Sequence, residues 1–185
     1  MTRSAVVIIS STRAATGVYP DRTGPIISQW LRDRGFDVGE PVVVPDGPQL
    51  TDALRSAVGA DLVITSGGTG ISPTDRTPEA TSEVLDREIP GLAAAIRAEG
   101  SDAVPTAVLS RGLAGVAGRT LVVNLPGSTG GVRDGLAVLG RVVDHALSQL
   151  GGGDHAPGGD HAAGRDHGAG GKPVSYTHLT LPTKA

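Results

Sequence analysis

Two aspartates, Asp46 and Asp75, and three closely spaced glycines, Gly67, Gly68 and Gly70, are the residues whose types and spacing could do chemistry. The stretch Leu62–Pro78 reads LVITSGGTGISPTDRTP, a buried strand followed by a glycine loop, an acid and a helix start. Glycine takes backbone angles closed to other residues and lets main-chain N–H groups turn toward an anion. Ser66 and Thr69 add hydroxyl donors. Asp75 repels a phosphate directly, but it can hold a Mg²⁺ that bridges phosphate oxygens. Asp46, in the upstream VPDG, stands at the end of a neighbouring strand as the natural second carboxylate. Thr77-Pro78 then sets a helix N-terminus beside the loop, a favourable place for an anion. These are the parts needed to hold a phosphate next to a metal ion. On spacing alone a plainer reading stays open: glycine loops after strands are common, Asp46 serves as a turn residue and Asp75 as a helix cap.

Several rival chemistries are excluded by what is missing. There is no cysteine, so disulfides, thiolate metal sites and a cysteine nucleophile are ruled out. The only lysines are Lys172 and Lys184, far from any predicted strand, which removes a P-loop and a Schiff-base mechanism. His145 is the only histidine before residue 151 and falls in an apolar helical pattern, which disfavours histidine-dependent triads. A net charge of −3 argues against a nucleic-acid binder. With 38% hydrophobic residues, no long apolar run and a strand starting directly after Met1-Thr2-Arg3, a soluble cytoplasmic protein is expected.

The elements that must position these residues follow from the apolar pattern. Ala5–Ser10 is an unbroken apolar run, as expected of a strand buried on both faces. A polar loop over 11–23 leads to a helix opened by Thr23-Gly24-Pro25 and closed by Gly35. Val38–Val44 predicts the next strand, Leu50–Val58 a helix and Leu62–Thr65 the third strand. Thr77 is expected as N-cap of a helix over Pro78–Asp86, and Gly91–Glu99 as another helix. Gly112–Val116 and Thr120–Leu125 read as a hairpin, and Val132–Leu150 as the longest helix. The alternation predicts a three-layer α/β/α domain with a mostly parallel sheet and one antiparallel edge strand. Ligands bind at the carboxyl ends of strands in such sheets. Three segments occupy that rim: Pro45-Asp46-Gly47, Ser66–Asp75 and Asn124–Ser128. Arg13, Arg76 and Arg111 are the cations near it, Arg13 and Arg111 being expected as solvated surface residues.

From Gly151 the composition changes to a glycine-rich tract in which Asp-His recurs at 154–155, 160–161 and 166–167. A disordered tail is expected over 151–173, with a weak metal-binding tract as the alternative. Val174–Ala185, VSYTHLTLPTKA, reads as an in-frame sequencing-adapter translation and is excluded from the fold. The domain is therefore expected over residues 1–150.

The segment SGGTGISPTDRTPEAT, with VPDG upstream and NLPGS downstream, resembles the MoaB/Mog family of molybdenum cofactor biosynthesis proteins from about Val6 to Leu150. The likeness includes STRAATGVYPDRTGP and VPTAVLSRG. It implies a molybdopterin-binding fold, trimeric or a dimer of trimers, that transfers AMP from ATP to molybdopterin with Mg²⁺ present and releases pyrophosphate. It also implies hand-over to a molybdate-inserting protein. Carried onto this sequence, it makes Asp75 the essential carboxylate and Asp46 its partner. Ser66, Gly67, Gly68, Thr69 and Gly70 become the phosphate and pterin loop, and Asn124, Pro126, Gly127 and Ser128 the nucleotide end. One departure is Thr74, where many relatives carry a basic residue; here the arginine follows the acid, as Arg76. The alternative is a non-catalytic, molybdopterin-binding paralogue with the same fold. Molybdate-inserting enzymes and the competence-damage-type domain fit the loop and the NLPGS segment less well.

Overall fold

The computed structural model describes residues 2–152. Of the tail expected over 151–173, residues from 153 onward lie outside the described residues, as does 174–185. In chain order the elements are β1 (Ser4–Ser10), α1 (Thr12–Ala15), α2 (Gly24–Asp33), β2 (Asp37–Val38), β3 (Val42–Val44), α3 (Pro48–Ala57) and β4 (Leu62–Ser66). Then follow α4 (Thr77–Ser82), β5 (Arg87–Glu88), α5 (Pro90–Ser101), a 3-10 turn (Pro105–Leu109), β6 (Ala114–Ala117), β7 (Thr120–Leu125), α6 (Thr129–Gly140) and α7 (Val143–Leu150).

The sheet has seven strands in the order β2-β1-β4-β7-β6-β5, with β3 also paired to β1. Strands β1, β2, β3, β4 and β7 are parallel, while β6 at one edge pairs antiparallel with both β7 and β5. The central strands are apolar on both sides because both faces are covered by helices. Val7, Ile9, Ile64, Val123 and Leu125 face a layer built from Ile27 and Leu31 of α2 with Leu136 and Leu139 of α6. Ile8, Val63 and Val122 face Leu50 and Leu54 of α3 and Ala80 of α4. The three-layer architecture expected from the sequence is thus observed, with antiparallel pairing confined to one edge of a mostly parallel sheet.

Four boundaries differ from expectation, each for a local reason. The strand expected over Val38–Val44 breaks into β2 and β3 at Gly39-Glu40-Pro41, since proline has no N–H to give the ladder. The long helix expected over Val132–Leu150 is two helices. Its break lies at Arg141-Val142, whose amides bond three residues back, to Val138 and Leu139. That turn lets Val143 and Leu147 of α7 bury against the same core. α6 also begins earlier, at Thr129, because the Ser128 hydroxyl caps it by accepting from the Gly131 amide at 3.1 Å. Finally, α4 stops at Ser82, since Asp86 already donates its amide to Val116 of β6 at the sheet edge. Thr77 is not its N-cap but its first residue, fully buried, with a different task described below.

Candidate active site

Parallel strands β1, β3, β4 and β7 all end at one rim, and the chain crosses from one side of β1 to the other between β3 and β4. A cavity of about 900 Å³ opens at this switch point. Asp46, Ser66, Gly67, Gly68, Asp75, Gly127 and Ser128 all line it, so the structure brings together seven of the eleven residues singled out in the sequence.

The glycine loop is shaped by close approach on three sides. Gly67 and Gly68 have φ of +94° and +61°. A Cβ on Gly67 would lie 2.3 Å from the Ser10 carbonyl oxygen, and one on Gly68 would lie 2.4 Å from Thr77 Oγ1 and 2.9 Å from Asp46 Oδ1. Neither position admits a side chain. Thr77 fastens the loop: its hydroxyl donates to the Gly67 carbonyl at 2.8 Å and its amide to the Gly68 carbonyl at 3.1 Å. The Gly67 amide donates to the Leu125 carbonyl at 3.2 Å, so it belongs to the fold and does not point at a ligand. Ser66 is likewise occupied, donating its hydroxyl to the Pro126 carbonyl at 2.8 Å.

Both carboxylates lie against this loop, Asp46 at Gly68 and Asp75 at Gly70. Asp46 Oδ1 accepts from the Ser10 hydroxyl at 2.6 Å, and Oδ2 accepts from Thr12 Oγ1 at 3.0 Å. The end of β1 therefore orients Asp46. Asp75 closes a turn in which Oδ2 accepts from the Ser72 amide at 3.1 Å, while its own amide donates to the Ser72 carbonyl at 2.9 Å. A Cβ on Gly70 would sit 2.7 Å from Asp75 Oδ2, so this glycine makes room for the acid.

Arg111 corrects the expectation of a solvated arginine. Its Nε donates to the Gly70 carbonyl at 2.8 Å and its Nη2 to the Asp75 carbonyl at 2.9 Å, while its amide reaches the Thr69 carbonyl at 2.7 Å. The same guanidinium pairs with Glu79 of α4. Hydrogen bonding from Arg111 holds the Glu79 carboxyl below its ordinary value, and Glu79 in turn raises Arg111. Arg111 thus staples both ends of the loop segment that presents Asp75.

Four predicted residues do not reach the cavity wall. Thr69 is buried, Gly70 serves Asp75, and Pro126 offers its carbonyl to Ser66. Asn124 is buried and points away: Nδ2 donates to Thr65 Oγ1 at 3.0 Å and Thr81 Oγ1 at 2.9 Å, and Oδ1 accepts from the Leu113 amide at 2.9 Å. It ties β7 to β4 and α4. Conversely, the segment after β1 contributes Thr12, Arg13, Tyr19, Asp21 and Arg22 to the wall; of these the sequence pointed only to Arg13, and to that as a solvated cation near the rim. The signal was present, since this polar loop also follows a parallel strand and must end on the same rim.

A family model described as a probable molybdopterin binding domain matches residues 5–145. The chain belongs to this family. A molybdenum cofactor biosynthesis bifunctional protein of Synechococcus elongatus is 37% identical over 154 residues, covering 82% of this chain and 48% of that protein. The chain thus spans about half the length of the first curated relatives it matches. A molybdopterin adenylyltransferase of Haemophilus influenzae is 38% identical over 132 residues, 68% of this chain and 67% of that one. Among solved structures, a molybdopterin biosynthesis Mog protein from Mycobacterium ulcerans is 64% identical, with a TM-score of 0.78 over 80% of this chain and 99% of that chain.

For a member of this family the donor set at the rim decides what a metal could find. Among the described residues no group of three or more His, Asp and Glu stands ready to enclose an ion. Two carboxylates on one cavity wall instead suit a hard, hydrated cation that completes its shell with water and substrate phosphates, which is the habit of Mg²⁺. Asp46 and Asp75 fit that role.

Proposed function

We propose that the protein is a molybdopterin adenylyltransferase acting in the cytoplasm, which transfers AMP from ATP to the terminal phosphate of molybdopterin and releases pyrophosphate. One observation carries this reading: Asp46 and Asp75 lie with a glycine loop on the wall of one cavity of about 900 Å³. The names of the adenylyltransferase relatives support it.

In the proposed reaction an oxygen of the molybdopterin phosphate forms a bond to the α-phosphorus of ATP, and the bond from that phosphorus to the β-bridging oxygen breaks. The attacking oxygen is already anionic, so no base has to remove a proton, in keeping with a domain nearly devoid of histidine. The chain must overcome repulsion between two polyanions and hold them in line. Asp46 and Asp75 would hold a Mg²⁺, whose chemistry there would be to neutralise phosphate charge. Ser10 and Thr12 aim Asp46, whereas Ser72 and Arg111 aim the Asp75 turn. Ser128 and Thr129 bring the N-terminus of α6 to the wall, where the helix dipole favours phosphate. Arg13 and Arg22 add positive charge to the same cavity wall. Assembly into trimers or hexamers and hand-over to a molybdate-inserting protein complete the reading. The exposed Val104, Val108 and Leu109 offer apolar surface for such contacts, and light scattering would give the copy number.

The decisive experiment mixes purified protein, molybdopterin, ATP and Mg²⁺ and measures pyrophosphate. One pyrophosphate per molybdopterin consumed is expected. Tight molybdopterin binding without pyrophosphate would overturn the enzyme and leave the non-catalytic binder.

A further inference from the structure

Within the polar segment after β1, Ala14, Tyr19 and Pro20 add apolar surface to a cavity wall otherwise made largely of hydroxyls, charged groups and backbone. The chain has four aromatic residues, Tyr19, Trp30, Phe36 and Tyr176, the last outside the described residues. Phe36 is buried in the core, and Trp30 packs against that core with the Arg34 guanidinium 4.0 Å from its ring centroid. Tyr19 is therefore the only aromatic side chain on the cavity wall among the described residues, and it is 61% exposed.

This exposed ring is held in place. The amides of Val18 and Tyr19 donate to the Arg13 carbonyl at 2.9 and 3.3 Å, folding the segment back on α1. The Arg13 guanidinium lies 5.7 Å from the Tyr19 centroid. Beyond Pro20, Asp21 Oδ1 accepts from the amides of Thr23 at 2.9 Å and Gly24 at 3.1 Å, which ties the segment to the start of α2. A solvent-exposed aromatic face fixed at both flanks, beside Ala14 and Pro20, is a ready-made stacking platform.

The geometry points to Tyr19, backed by Arg13, as the site that stacks a flat heteroaromatic ring in the cavity. This rests on the adenylyltransfer reading for the two rings on offer, the adenine of ATP and the pterin of molybdopterin. The phosphates would then run toward the glycine loop and α6, and Tyr19 would set ring selectivity without touching the reacting atoms.

The test uses the full chain with Tyr19→Ala and Tyr19→Phe, titrated calorimetrically with ATP, with inorganic tripolyphosphate and with molybdopterin. Base–aromatic stacking is worth about tenfold or more in affinity. If Tyr19 stacks adenine, Tyr19→Ala weakens ATP about tenfold, leaves tripolyphosphate unchanged, and Tyr19→Phe stays within about twofold of wild type. If it stacks the pterin, the same loss appears for molybdopterin while ATP is unaffected. Unchanged affinity for both substrates, or an equal loss for ATP and tripolyphosphate, overturns the platform. So does a wild-type chain that binds neither substrate. Because these titrations need no turnover, absence of pyrophosphate release would refute the enzyme while leaving a ring site standing.

Discussion

Asn124→Ala separates a residue that builds the site from one that binds in it. Asn124 is 3% exposed and uses its whole amide: both donors go to threonine hydroxyls on β4 and α4, and its oxygen accepts from the Leu113 amide. Truncation removes three hydrogen bonds with a net worth of about 1 kcal/mol each, and leaving the Leu113 N–H unpaired adds about another 1 kcal/mol. The expected loss is therefore about 3–4 kcal/mol. For a domain of this size each kcal/mol lowers Tm by about 2–4 °C, so a fall on the order of 10 °C is expected. Urea unfolding followed by Trp30 fluorescence would give the free energy, and calorimetry the Tm. A double-mutant cycle with Thr81→Val should show coupling of about 1 kcal/mol between the two side chains. Substrate affinity of the folded fraction should change little, since Asn124 does not line the cavity. An unchanged Tm with a large loss of ligand affinity would refute this reasoning and return Asn124 to the role of a ligand.

Asp75→Asn should abolish pyrophosphate release while moving Tm by no more than about 2 °C, because the isosteric amide oxygen can still accept from Ser72 at this half-buried position; a steep loss of Tm would make Asp75 a structural residue. Gly68→Ala forces a Cβ to 2.4 Å from Thr77 Oγ1 at a φ of +61°, so it should cost about 1–3 kcal/mol in urea unfolding and impair ATP binding in the same sample. The Glu79 carboxyl is held below its ordinary value of 4.5 chiefly by the Arg111 hydrogen bond. A depressed folded-state pKa stabilises the protein above the unfolded value and is lost as pH falls through the folded one. Wild type should therefore exceed Glu79→Gln in Tm at pH 7, with the gap closing as pH drops below 4.5; a gap independent of pH would exclude the pair as its source.

The parts of this fold that were legible in the sequence are those encoded within one element. Ala5–Ile9 and Leu62–Ile64 are apolar at every position because alternate residues face two helical layers, so the run itself announces a central strand. Glycines 67 and 68 were readable as a loop because positive φ and close approach restrict those positions, and Asp46 because it follows a strand that must end at the rim. Asn124 faces away from the cavity for a reason the alternation itself supplies. Val122 faces the α3 and α4 layer, so the side chain two residues on must also turn that way, beneath α4, where it meets Thr81. Its neighbours Gly127 and Ser128 lie past the end of β7 and do reach the wall. Arg111 and Thr77 could not be read in the same manner. Whether an arginine is solvated or staples a loop depends on how near the approach to β6 passes to residues 69–75, and that distance is set by the hairpin pairing of β6 with β7 far along the chain. The local pattern supplied the groups that could do chemistry, while long-range packing decided which of them are held and which face the cavity. A clamp of this kind acts only through the Asp75 turn, so Arg111→Ala should increase hydrogen exchange over residues 69–75 and lower kcat together with metal affinity, with Arg111→Lys restoring part of both; loss of ATP affinity alone would show that Arg111 binds substrate instead.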